Sequence, residues 1–202
     1  MSQEPCIRWR FIQIMAFGSK YFGWLSAMAI VLAGGWFLLP AGYNTLIQWM
    51  APQLGNYVRP SLVMVNILLV NPLTNITMVA IWGAAGFVGG VLAGTKKGAF
   101  VVGFMTWLFC ILLAGFCVIQ MFMSGLDLGS IPPIPPGSSI VDILGIPLIQ
   151  DVIGGILPMI AGFAGGGLDI FSMILPLVMW VVVPIVVVIV AGVAGAMVRP
   201  KE

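Results

Sequence analysis

The chain has 202 residues, of which 61% are hydrophobic and 7% charged, with a formal net charge of +2. Soluble globular proteins carry about a quarter of their residues as Asp, Glu, Lys and Arg, so this composition belongs to an integral membrane protein. Nucleic acid is not an expected partner, because the basic residues sit at the ends of apolar runs and form no basic stripe with interleaved aromatics. Histidine is absent and cysteine is confined to Cys6, Cys110 and Cys117. That excludes His-based triads, His-ligated haem and the usual His-containing zinc sites. No cofactor or metal is expected, and Cys110 and Cys117 read as apolar packing.

A helix needs about 20 apolar residues to cross about 30 Å of hydrocarbon. The first run that qualifies covers about 21–39, behind Arg8, Arg10 and Lys20. It exceeds the h-region of a secretory signal, about 7–15 residues, and its small residues Ala33, Gly34 and Gly35 lie inside it, so it reads as a retained signal-anchor. Pro40 closes it. The outer loop 40–75 is unusually apolar, with Leu46, Ile47, Trp49 and Met50, then Leu62–Val70 broken by Asn66 and closed by Asn71-Pro72. Capping and turn chemistry around Asn71-Pro72 accounts most simply for at least two of Asn66, Asn71 and Asn75; the alternative is amides that line a re-entrant path or bond between helices.

The second run, about 76–94, carries Gly86, Gly90 and Gly94 at a four-residue repeat on one face. Small residues at that spacing let helix backbones approach closely in lipid. The turn at Thr95-Lys96-Lys97 is so short that the third run, about 98–122, must return beside the second, making it the expected partner for the glycine face. A seam for another subunit is the sharper reading. The outer loop 123–170 begins with the stiff segment Ile131–Pro136, which favours polyproline geometry. After Pro147 the pairs Leu148/Ile149, Val152/Ile153 and Ile156/Leu157 alternate with Gln150, Asp151, Gly154 and Gly155 until Pro158. This pattern predicts a one-sided helix at the outer interface. The last run, about 171–198, contains Pro176 and Pro184, which favour kinks, and a shorter small-residue pair, Gly192 and Ala196.

Marking these spans sorts the charges. Arg8, Arg10, Lys20, Lys96, Lys97, Arg199 and Lys201 fall on one side, while Asp127, Asp142, Asp151 and Asp169 fall on the other with Arg59. Lys and Arg are retained on the cytoplasmic side, so both termini are expected inside the cell membrane. No charged residue lies inside a span, which argues against a proton-coupled pump and excludes an arginine-rich voltage sensor. Each half of the chain also reads span, long outer loop with a short apolar helix, span. This is a weak internal repeat.

The expectation is an all-α polytopic membrane protein, a single membrane domain over 1–202. It has four transmembrane helices and short outer interfacial or re-entrant helices. Its function is expected to be that of a non-catalytic subunit packing within a larger membrane complex. Its contacts are the lipid bilayer and other membrane subunits or further copies of itself. The alternative is a channel or facilitator for ions or small solutes, formed by oligomerisation. An enzyme is not expected.

Overall fold

The structure, a computed structural model, describes residues 4–123, 136–137, 139–154 and 170–200. Asp127, Asp169, the prolines before Pro136, the apolar pair after Gly155, Gly162, Gly166 and Lys201 lie outside the described residues, as do the side chains of Cys6, Arg8 and Arg10. The described residues form helices and no strand: α1 (Glu4–Phe37), α2 (Ala41–Leu54), a single 3-10 turn (Gly55–Tyr57), α3 (Val58–Leu68), α4 (Ile76–Ala93), α5 (Lys96–Met123), α6 (Ile140–Leu144), α7 (147–154) and α8 (Ile170–Val198).

The breaks follow from backbone chemistry. Pro40 has no N–H and disfavours helical geometry at Leu39; α1 ends at Phe37, and Pro40, at φ −54° and ψ 143°, starts α2. Asn75 caps α4 by accepting the Met78 N–H at 3.4 Å. Gly94, at φ 70°, ends α4 with its N–H on the Gly90 carbonyl at 2.9 Å, a left-handed position that glycine takes without steric cost. Pro176 and Pro184 both lie within the single helix α8.

Ile76–Ala93, Lys96–Met123 and Val178–Val198 are each long and apolar enough to cross a membrane. A fourth crossing depends on Gly18–Phe37 of α1, which meets Ala41–Leu68 at a bend of 78°. Large apolar side chains face outward along these helices. Phe100, Phe104, Phe109, Leu112, Phe116 and Ile119 are exposed on α5, and Val178, Val182, Val186 and Val190 on α8. Exposed apolar surface of this extent is foreign to a protein in water. The described residues are helical, with three to four helices long and apolar enough to cross a membrane.

The helices form two compact units: Met1–Ala33 with Val79–Phe109 and Pro184–Glu202, and Gly34–Met78 with Cys110–Val183. In the first, contacts fix the helix directions. Ser19 Oγ donates to the Leu92 carbonyl at 2.5 Å and Gly23 packs on Gly89, so α1 and α4 are antiparallel. Gly103 packs on Ile189 and Gly192 lies by Ala99, so α5 and α8 are antiparallel too. Gly86 meets Val188 and Gly90 meets Gly192, so α4 and α8 run parallel. Lys20, Lys96, Lys97 and Arg199 therefore gather at one end of this unit, all exposed.

The second unit is built on Tyr43, Ile143 and Ile146, with Leu39, Leu46, Trp49, Leu62, Leu148 and Ile149 packed around them. Gly42 lets α2 press against the Asp142 carbonyl and Ile146. In turn Asp142 accepts the Ser139 N–H at 2.9 Å and so holds the start of α6. Most of α3 is interior: Val58, Ser61, Val63, Met64, Asn66, Ile67 and Leu68 are all buried. An interfacial helix would bury one stripe only; along α3, Arg59 alone is exposed.

Candidate functional site: a glycine seam and a polar joint

Two constellations, one in each unit, collect the residues that the sequence singles out. The first is the glycine seam. A Cβ on Gly86 would strike the Val188 carbonyl, and one on Gly90 the Gly192 carbonyl. Backbones this close leave no room for any other residue. The short α4–α5 turn led us to expect α5 against this face, but the partner is α8. One position along a helix is a rotation of about 100°, so Gly89 faces elsewhere. A Cβ there would lie 3.2 Å from the Gly23 carbonyl and 3.0 Å from Val102. The adjacent pair Gly89-Gly90 thus thins α4 on two sides, admitting α8 on one and α1 with α5 on the other.

Gly94 stands apart from the seam, because it lies beyond α4 as its C-terminal cap. On α8, Gly192 and Ala196 are buried, and Gly195 abuts the Phe87 carbonyl. The sequence reading missed Gly23, Gly89, Gly103 and Gly195. A search for small residues at any face, not only at a four-residue repeat, would have found the Gly89-Gly90 pair. It could not have named the partners.

The second constellation is the joint between α3 and α4. Asn71 Oδ1 accepts the Leu73 N–H at 3.0 Å, a local turn. Asn75 does double duty: besides capping α4, its Nδ2 donates to Asn66 Oδ1 at 3.0 Å. Thr74 Oγ1 donates to Asp151 Oδ2 at 2.9 Å, which ties the joint to α7. The Val70 N–H reaches the Trp180 carbonyl at 3.2 Å, which ties it to α8. The buried Asn66 Nδ2, Ser61 Oγ and Tyr43 hydroxyl have no hydrogen-bond partner. Burial pushes the Tyr43 hydroxyl above its usual pKa, so it stays neutral.

Asp151 differs from its expected role. The pattern predicts it facing water beside Gln150; it is half-buried and bonded to Thr74, while Gln150 is exposed. Inside the unit, α7 buries Leu148 and Ile149, leaving Val152 and Ile153 outward. Arg59, the one basic residue assigned to the far side, stands over the Trp36 ring at 4.4 Å, a cation–π contact. Cys110 and Cys117 are buried free thiols. Among the described residues no group of three or more His, Cys, Asp or Glu could hold a metal ion. The joint offers the amides of Asn66, Asn71 and Asn75, the Thr74 hydroxyl and the Asp151 carboxylate that accepts from it.

No protein-family model, no curated protein and no solved structure matches the chain.

Proposed function

We propose that this chain is a four-span protein of the cell membrane, with both termini cytoplasmic, that packs as a non-catalytic subunit within a larger membrane complex. The observation that carries this reading is the outward face of α5. Phe100, Phe104 and Phe122 are exposed on one side of it, where the helical repeat brings them to within about 40° of one another, and Phe100 and Phe104 stack with their rings 2° from parallel. Rigid aromatics make large contact areas at low entropic cost. An exposed aromatic ridge of this kind suits a neighbouring subunit, because aromatic residues are enriched in protein interfaces. The glycine seam does not add to this argument, because α8 fills it. The proposed orientation rests on Lys20, Lys96, Lys97 and Arg199 sharing one end of their unit.

Native mass spectrometry after mild extraction tests the proposal. A foreign subunit at fixed stoichiometry is expected; a monomer or a closed ring of this chain alone would overturn it. The second reading, an oligomeric channel or facilitator, draws on the buried polar groups of α3, namely Asn66 and Ser61. It requires a closed homo-oligomer, and solute flux into proteoliposomes that Asn66→Leu alters.

A further inference from the structure

Pro184 lies inside α8 and has no N–H, so the carbonyl of Trp180, one turn back, has no donor from its own helix. A second orphan arises in a different part of the sequence. α3 ends at Leu68; the Leu69 N–H closes the last turn on the Val65 carbonyl at 2.9 Å, and Leu69 then leaves helical geometry at φ −93° and ψ 84°. The next amide, that of Val70, is fully buried and has no carbonyl of α3 to reach. A buried N–H of this kind must find a partner. The two orphans meet: the Val70 N–H donates to Trp180 O at 3.2 Å.

We propose that this bond is a latch and that Pro184 is its positioning residue. By withholding its own donor, Pro184 keeps the Trp180 carbonyl open as the docking point for the α3–α4 joint. The placement of α3, with its buried Asn66 and Ser61, is then governed by α8 around Pro184. The other ties of the joint, Asn75 to Asn66 and Thr74 to Asp151, run to α3 itself and to α7. Of these three ties, the Val70 bond is the one that runs to α8. This inference does not depend on whether the chain is a packing subunit or a channel.

Pro184→Ala supplies the missing donor, so the Trp180 carbonyl can bond within α8 and Val70 loses its acceptor. Amide exchange resolved at Val70, on the full chain in lipid nanodiscs, should speed up about ten-fold, the worth of roughly one net hydrogen bond. Amides in the middle of α5 should keep their protection, and Pro176→Ala should leave Val70 unchanged. Unchanged exchange at Val70 in Pro184→Ala overturns the latch, and so does acceleration shared equally by α5. A second variant guards against a merely structural effect. Val70→Pro deletes the donor, and Leu69 has already left the helical geometry that a following proline disfavours. A spin label at Leu73, which is 90% exposed, should gain mobility in either variant. It should gain no more in the double variant, because both remove the same bond. Additive gains would overturn the proposal.

Discussion

At the scale of single residues, the seam on α4 depends on the absence of one carbon atom at each of a few positions. Leucine at position 90 would force the α4 and α8 backbones apart, and overpacking of this kind costs about 1–3 kcal/mol or more. Gly90→Leu should lower the unfolding temperature in detergent markedly, whereas Gly115→Leu, placed where a Cβ meets nothing within 4 Å, should leave it nearly unchanged. Equal unfolding temperatures for the two variants would contradict the assigned packing. Arg59 shows the same economy of means with a charge. Its guanidinium stands over the Trp36 ring, worth about 0.5–1 kcal/mol at an exposed site.

At the scale of elements, the asymmetry of the joint is what can be tested. Asn75→Ala removes the α4 cap and leaves the buried Asn66 carboxamide without its donor, a loss of about 1–3 kcal/mol. Asn66→Leu takes away an acceptor but also a buried Nδ2 that has no partner, and these two terms oppose one another. Chemical denaturation should find Asn66→Leu the milder change; the reverse order would mean that the Asn66 amide is satisfied in the membrane. For α7, spin labels separate its three environments. Position 150 should be open to water-soluble relaxing agents. Position 153, outward on the surface, should be shielded from them yet open to oxygen dissolved in lipid. Position 146, just ahead of α7 and in the core with Tyr43, should be shielded from both. Equal access of the water-soluble agent at 150 and 153 would place α7 in water and not at an interface.

At the scale of the whole molecule, the proposed orientation rests on the basic residues. With Cys6, Cys110 and Cys117 replaced, a cysteine at position 97 should resist an impermeant reagent in intact cells, whereas one at exposed position 142 should react. Labelling at 97 from outside would reverse the topology. The two antiparallel pairs, α1 with α4 and α5 with α8, use the same device of a glycine on the first helix against the backbone of the second, Gly23 on Gly89 and Gly103 on Ile189.

The sequence by itself determined the helical class, the positions of the apolar runs and the sorting of charges. These follow from local chemistry: hydropathy, chain length against bilayer thickness, and prolines or glycines that stop helices. It marked Gly86 and Gly90 as a close-packed face, and Asn71 as turn chemistry. Tertiary structure alone decided which helix meets that face, because periodicity gives a direction around one helix and says nothing of what stands there. It also decided that α3 is mostly buried although its length and amides suit a surface helix, that Asp151 serves Thr74 and not the solvent, and that the carbonyl freed by Pro184 is taken by Val70. Each of these joins residues far apart in the chain. A local pattern can show that a donor or a carbonyl will be left over, but only the fold brings the two together.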